Sequence, residues 1–514
     1  MHAVFGTPAA RTAQVTLLTE GTYPHSPGGV SVWCDQLLRA LPDVGFRVTA
    51  VTATGEEPLA WQLPPNVTAL QTVPMWGRTP RGREPRGRDR RALLGAWEGL
   101  LTALLAEQDG EDRHFGLALY ELGEWAQAGV LAAGLRSEAA VRILAALWRR
   151  PGTAVAAARP SQYDALTGTD LLEHALRPLA APPPTGVAHA VSGGLATLPG
   201  LLAHHREDVP LLLTEHGVYQ RERYLGHRTG PYRWPVKALL LHFFRLLARE
   251  GYRSSALITP GNRYNRRWEE HGGAAPDRIR TVYNGVDPAA FPLAGPEPAR
   301  PTLSWAGRID PIKDLETLIR AFALVREEMP EARLRIFGGT PRGGEAYRER
   351  CEALAQAVGA GEAVTFEGRV DDIRTAYAAG QVVMLSSISE GFPFTLIEAM
   401  SCGRCTVSTD VGGVREAVGD TGLVVPPRDP AAMALAALSL LRDPARRAAL
   451  GEAARLRVID QFTLRRTVDS FRAIYAGLSP AEPRTAQQYA GVTWLSRVWR
   501  EAPAASGPAA EGTA

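Results

Sequence analysis

What most limits how this chain can fold is a regular alternation of short apolar runs and amphipathic stretches beyond residue 301. Thr302–Gly307 (TLSWAG) reads as a buried strand. Asp314–Glu328 then carries Leu315, Leu318, Ile319, Phe322 and Val325 at helical spacing until Met329-Pro330 stops it. Strands at Arg333–Phe337, Ala363–Glu367, Val382–Leu385, Cys405–Ser408 and Leu423–Val425 alternate with helices at Glu345–Val358, Asp372–Ala379, Thr395–Cys402 and Pro430–Leu441. A strand that runs parallel to its predecessor needs a crossover, and helices then cover both sheet faces. Right-handed crossovers make such a unit doubly wound.

The N-terminal half opens the same way. Strand Val15–Thr19 leads through the loop EGTYPHSPGG into an amphipathic helix, Ser31–Leu41. Gly45 closes that unit, and strand Arg47–Thr52 follows. Further buried strands are expected at Leu117–Tyr120, Val187–Val191, Leu211–Thr214 and Ala256–Thr259. The fold class is therefore α/β, with two doubly wound domains. The aperiodic, proline-rich Phe291–Pro301 marks the boundary between them. Residues 1–292 form the first domain, 293–301 the linker and 302–462 the second. Residues 501–514 are low-complexity and expected to be disordered.

Composition removes several functional classes. With 57 Lys+Arg against 54 Asp+Glu the net charge is +3, which excludes a strongly basic nucleic-acid coat. Four cysteines in 514 residues exclude a disulfide scaffold. No apolar run approaches the ~18–20 residues of a membrane span. The N-terminus lacks a basic segment followed by an apolar run. The expectation is a cytoplasmic protein with no nucleic-acid partner. Arg78–Arg91 (RTPRGREPRGRDRR) is basic and aperiodic, and reads as a mobile loop, either simply solvated or meeting an anionic membrane surface or an acidic partner.

Candidate chemistry gathers at the carboxyl ends of the predicted strands, where open α/β sheets bind ligands. Glu390 ends one strand region, and Glu398 lies in the first turns of the next helix, within SEGFPFTLIEAM. Carboxylates there suit neutral hydroxyls, and the helix-start N–H groups around Thr395 and Leu396 suit phosphate. Spacing alone is equally met by two solvated glutamates. In GRIDPIK, Arg308 follows its strand directly and Lys313 comes five residues later. An Arg–Lys pair can neutralise a leaving diphosphate; the same spacing is met by two ordinary surface cations. Gly28-Gly29 permits close backbone approach to a ligand or simply makes a tight turn. His216 follows strand Leu211–Thr214 at the same kind of edge, and a lone histidine there is more often structural. Cys402 and Cys405 form a C-x-x-C between a helix and a strand, the wrong setting for a redox pair and without a second pair for zinc.

Taken in order, these motifs resemble those of the family 4 retaining glycosyltransferases. The Glu390–Glu398 spacing matches the family's Glu-x7-Glu signature, and GRIDPIK its Arg–Lys diphosphate clamp. YNGVD at 283–287 and CGRCTVSTDVGGVREAV resemble further family segments. VTLLTEGTYPHSPGGVSVW, LLLTEHGVYQRERYL and TGPYRWPVK resemble the PelF-type subgroup, linked to exopolysaccharide synthesis. Cys405 departs from the proline that many relatives have, and the subgroup match is vague over Arg78–Glu138.

The resemblance implies a GT-B fold, two Rossmann-like domains facing across a cleft. The N-terminal domain would hold the acceptor and the C-terminal domain the nucleotide sugar. Residues 463–500 would be C-terminal helices, with Leu464–Leu478 crossing back to the N-terminal domain. Glu398 would bind ribose hydroxyls. Arg308, Lys313 and the N–H groups of Thr395 and Leu396 would hold the diphosphate. Glu390 and the backbone of Gly391 and Phe392 would meet the donor sugar, and Val370 the base. Gly28-Gly29 would approach phosphates or acceptor, and His216 the donor sugar. The implied reaction is retaining transfer from a nucleoside-diphosphate sugar, UDP-linked foremost, to a glycan. No obligatory metal is implied, which agrees with the lack of any Asp-x-Asp pair. A membrane-associated polysaccharide complex, with the chain peripheral at the inner face, is the implied setting. The competing readings are a UDP-sugar epimerase or phosphorylase on the same fold, and a catalytically silent subunit that binds nucleotide sugars.

Overall fold

The computed structural model describes residues 13–77, 82–106, 112–150, 158–228, 230–341 and 343–479. The expected disordered tail at 501–514, the stretch 480–500 and residues 78–81 of the basic segment lie outside the described residues.

Two six-stranded parallel sheets carry the architecture. The first contains β1 (Ala13–Glu20), β2 (Val44–Thr52), β3 (Val67–Pro74), β4 (Val187–Ala190), β5 (Leu211–Glu215) and β6 (Leu257–Pro260). Its order is β3-β2-β1-β4-β5-β6. The second contains β7 (Thr302–Ala306), β8 (Arg333–Phe337), β9 (Val364–Gly368), β10 (Val382–Leu385), β11 (Cys405–Thr409) and β12 (Leu423–Val425), in the order β12-β11-β10-β7-β8-β9. Each chain segment winds outward for three strands, returns beside its first strand and winds the other way. That is the doubly wound, Rossmann-like topology expected, met twice. The central strands β4, β5, β7, β10 and β11 are buried along their whole length, as helices on both faces require. The return points, β1 beside β4 and β7 beside β10, open the crevices where such sheets hold ligands.

The first half differs from expectation in one large respect. Among the described residues five α-helices, Gly87–Leu105, Asp112–Gln127, Leu131–Leu135, Glu138–Trp148 and Gln162–Leu176, lie between β3 and β4. The strand expected at Leu117–Tyr120 is instead the middle of the helix Asp112–Gln127, and Leu117 is exposed. The apolar residues that matter are Phe115, Leu119, Leu122 and Ala126, all buried, at helical spacing; a four-residue apolar run hid that period. The basic segment is likewise not all loop, since Arg88–Arg91 belong to the first turns of the helix Gly87–Leu105. Gly45 lies inside β2 rather than closing the preceding unit.

The chain passes between the sheets at Gly285–Val286, which pairs with residues 462–464. Val286 N–H donates to the Phe462 carbonyl at 2.9 Å, and Leu464 N–H to the Val286 carbonyl at 2.8 Å. The proline-rich stretch before β7 is pinned to the second sheet's side, with Glu297 ion-paired to Arg447 at 2.6 Å and Ser401 Oγ donating to the Phe291 carbonyl at 3.0 Å. The helix Leu464–Leu478 then crosses back to the first sheet. Val468, Phe471, Ile474 and Tyr475 join Val15, Leu17, Trp33 and Leu37 in one core. Burying four such side chains contributes roughly 1.5–3 kcal/mol each. Beneath them His189 sits between Tyr475 Oη at 2.8 Å and Thr214 Oγ1 at 2.7 Å, and burial drives its pKa down to about 3.

All four cysteines are free and buried. Burial pushes the Cys402 thiol up to about 11 and the Cys405 thiol to about 12, far from a reactive thiolate. No helix among the described residues is long and apolar enough to cross a membrane.

Candidate active site

The carboxyl edge of the second sheet assembles most of the candidates. Arg308 emerges two residues past β7 and is exposed, with no ion pair among the described residues. The turn after it, Pro311–Lys313, is capped by Asp310, whose side chain accepts from Ile312 N–H. That turn aims Lys313 at the segment beyond β10. Lys313 Nζ stands 2.6 Å from Glu390 Oε1, and Ser387 Oγ donates to the same oxygen at 2.6 Å. Two backbone ties fix this arrangement: Ile388 N–H donates to the Ile312 carbonyl at 2.9 Å, and Ser386 Oγ to the Lys313 carbonyl at 2.7 Å. The side chains of Lys313 and Glu390 are 20% and 10% exposed, so the pair is shielded but reachable from the crevice. The two cations are thus unlike: Arg308 is unengaged, and Lys313 is held by a carboxylate.

Glu398 lies on the helix Phe394–Ser401 and accepts from Tyr377 Oη at 2.5 Å. Burial pushes its carboxyl up to about 7, outweighing the Tyr377 hydrogen bond that pulls it down. Val370 packs in the same small apolar cluster as Tyr377, so the loop after β9 borders the Glu398 pocket. Thr395 is half-exposed in the first turn of that helix. The Leu396 N–H, expected to be free, donates to the Pro393 carbonyl at 3.2 Å, because the short helix closes on its own proline. Phe392 lies just before that helix. Its ring is buried against Tyr283 and Phe462, each at a centroid distance of 5.1 Å, and its carbonyl accepts from Asn284 Nδ2 at 2.9 Å.

The first sheet's carboxyl edge meets these residues directly. A Cβ on Gly391 would stand 1.9 Å from the His216 carbonyl oxygen, so only glycine allows the two loops to touch. Across the same seam Gly29 faces the Phe394 ring, 3.7 Å from where its Cβ would be. Gly28 is the residue before the helix Gly29–Ala40, at φ 155°. The His216 ring packs edge-on against Trp33 at 4.7 Å, its Nε2 is enclosed without a partner, and burial lowers its pKa to about 4. It is therefore a neutral imidazole at physiological pH. Beside it, Glu20 gathers Tyr219 Oη at 2.8 Å, Arg223 Nη2 at 2.9 Å and Leu195 N–H at 2.9 Å.

Sequence reasoning missed Tyr377, Ser387 and Glu416. A tyrosine on a buried helix face reads as core, and nothing in the spacing announces its carboxylate partner. Glu416 belongs to the second sheet's side, yet it accepts from the N–H groups of Arg263 and Tyr264, both at 2.8 Å. It thereby caps the helix Arg263–His271 on the first sheet's side. A different grouping, Asp170, Glu173 and His174, has metal-ligand residue types close together. Its atoms are already engaged: Arg177 bonds both Glu173 oxygens at 2.9–3.0 Å, and His174 Nδ1 lies 2.6 Å from the Asp170 carbonyl oxygen.

Behind His216, Glu215 and Glu269 are fully buried carboxyls, and Tyr252 Oη donates to Glu215 Oε2 at 2.8 Å. Burial raises both above the ordinary carboxylate range, and Glu215 raises Glu269 further. A raised carboxyl favours the protonated folded state, so its stabilising share is complete below the unfolded carboxylate pKa and fades as pH climbs through the folded values. The melting temperature is therefore expected to fall between about pH 5 and 9, and Glu269→Gln to flatten that fall. A scanning-calorimetry series in which parent and variant decline in parallel would refute the assignment.

Comparison with known proteins follows the same division. Residues 13–277 match the family model described as domain of unknown function (DUF3492), and residues 300–443 match glycosyl transferases group 1. D-inositol 3-phosphate glycosyltransferase of Rhodococcus opacus is 33% identical over 220 residues, 40% of this chain and 49% of that protein. The Salinispora tropica protein of the same name is 31% identical over 314 residues, 56% of this chain and 62% of that protein. The chain thus spans about half to three-fifths of the length of these curated relatives. Among solved structures, sucrose-phosphate synthase from Thermosynechococcus elongatus superposes with a TM-score of 0.59 at 19% identity, covering 91% of this chain and 99% of that one. Anabaena HepE in complex with UDP gives a TM-score of 0.58 at 14% identity, covering 90% and 100%. These likenesses show the fold, two Rossmann-like domains of the GT-B type. The chain belongs to the DUF3492 family, its domain of unknown function followed by a segment that matches glycosyl transferases group 1.

Proposed function

We propose that the protein is a retaining glycosyltransferase that moves a sugar from a nucleoside-diphosphate sugar, UDP-linked foremost, to a glycan acceptor in exopolysaccharide synthesis. The observation that carries this reading is the crevice beyond β7 and β10. There Arg308, the Lys313–Glu390 pair and the Tyr377-bound Glu398 share one edge, facing Gly29 and His216. The match to glycosyl transferases group 1 covers that edge up to residue 443. Structures of the same fold are described with UDP and UDP-glucose, which supports a uridine nucleotide.

In this reading Glu398 receives the ribose hydroxyls, and Val370 lies beside the base. Arg308 and Lys313 take the diphosphate, with the N-terminal turn at Thr395 and Leu396 adding its partial positive charge. Their charge balances the leaving group, so the reading calls for no obligatory metal. Glu390, with the neutral ring of His216 across the seam, borders the sugar. The anomeric C–O bond to the β-phosphate breaks, and the acceptor oxygen bonds to that carbon from the same face. The acceptor's proton passes to a diphosphate oxygen. The growing glycan would be presented at the inner membrane face, with the chain peripheral to it.

Calorimetric titration with UDP, ADP and GDP tests the donor side. UDP is expected to bind, and Arg308→Ala to weaken it by about tenfold or more, one charge-assisted contact being worth roughly 1.5–3 kcal/mol. Failure of any nucleotide to bind would refute the reading. Inverted configuration in the product would remove retention alone.

A further inference from the structure

We propose that the adjoining starts of two helices, Gln162–Leu176 and Trp234–Ser254, form a docking surface for an anionic lipid bilayer. The inference rests on the membrane-face reading above and names the surface that would serve it. Arg233, at the start of the second helix, is ion-paired with Asp164 in the first turn of the other. That pair brings the two helix starts together, so their sequence neighbours Tyr163 and Trp234 stand on one ledge. Tyr163 is 74% exposed, Trp234 59% and Leu166, one turn on from Tyr163, 54%. Three large apolar side chains at adjoining helix ends are more than the scattered exposure normal on a surface.

The support beneath the ledge is rigid. Gly168 lies against Leu239, Leu144 and Trp148, so the two helices touch one turn below the exposed residues. Tyr232, just before the second helix, packs on the same core. The ledge is therefore held out by a fixed base and not by a floppy loop.

Charge identifies the occupant. Arg159, four residues before Tyr163, is exposed with no ion pair among the described residues. The Arg233 side chain remains 55% exposed despite its partner. The second helix has no acidic residue in its first turn and no side-chain cap, so its free N–H groups and positive dipole end add to these cations. Tyrosine, tryptophan and leucine set among arginines match the headgroup region of an anionic leaflet.

The test is cosedimentation of the full chain with vesicles of phosphatidylglycerol and phosphatidylcholine, against vesicles of phosphatidylcholine alone. Binding is expected to the anionic vesicles, weaker at high salt. The double variant Tyr163→Ala, Trp234→Ala is expected to lose about tenfold in bound fraction, and Arg159→Glu to lose severalfold. Leu435→Ala, an exposed leucine on the other lobe, should change nothing. UDP titration of each variant reports separately on the donor site. Undiminished binding by the double variant would overturn this surface and leave the membrane-face reading standing. No binding by the parent, with UDP affinity intact, would overturn both and leave the transferase reading. Equal binding to neutral vesicles would overturn the charge argument. Release from anionic vesicles by soluble dextran would assign the ledge to glycan.

Discussion

Glu390→Gln is expected to lower UDP release from UDP-glucose, or from the UDP-sugar that proves productive, by about 100- to 1,000-fold. UDP affinity should change by less than about threefold. The amide fills the same volume and can still accept from Ser387 Oγ, so the loop beyond β10 keeps its course. What disappears is the negative charge 2.6 Å from Lys313 Nζ. In the proposed reading that charge positions the ammonium group before substrate arrives and borders the carbon on which positive charge develops. Loss in turnover without loss in nucleotide binding is the mark of a group that acts on the transition state. Turnover equal to the parent would refute that role for Glu390, and no UDP release by the parent itself would favour the silent-subunit reading. Calorimetry and a coupled UDP-release assay on one preparation separate these outcomes.

Gly391→Ala is the second large effect expected. Its Cβ would stand 1.9 Å from the His216 carbonyl oxygen, where both partners are backbone and neither can swing away. The seam must open, at a cost of about 1–3 kcal/mol. For a protein of 514 residues that is a fall of about 1–3 °C in melting temperature. UDP release should drop by at least about 100-fold, because facing groups misplaced by 1 Å lose that much. In the proposed reading UDP sits on the second lobe, so its binding should survive. Gly261→Ala is the matched control, since its Cβ would meet the Phe392 side chain across the same seam at an ordinary 3.9 Å. Comparable damage from both substitutions would mean the seam is not what Gly391 serves.

These two residues also show how far the sequence could be read. Val382–Leu385, Leu423–Val425 and Pro430–Leu441 have the bounds their patterns predict, because each is an apolar run flanked by polar or turn residues. The half-exposed edge strand β3 carries no continuous apolar run and left no such signature. The helical insert after it was legible only in windows longer than Leu117–Tyr120. At the site, spacing placed Lys313 and Glu390 on one edge but could not show that they pair, since the tie runs through Ile312 and Ile388 backbone groups 76 residues apart. Gly391 was noticed for its place beside Glu390, whereas its need to be glycine arises from a carbonyl 175 residues earlier. Tyr377 and Glu416 act through partners that no local pattern names.

The returning helix Leu464–Leu478 has a consequence for the order in which the molecule is made. The last strand of the first sheet, Leu257–Pro260, leaves the ribosome roughly 200 residues before that helix does. Until then the apolar surface destined for Phe471 and Tyr475, formed by Val15, Leu17, Trp33 and Leu37, has no cover. The lobe translated first is thus the lobe finished last, and a message cut short before codon 464 yields a half that cannot seal itself.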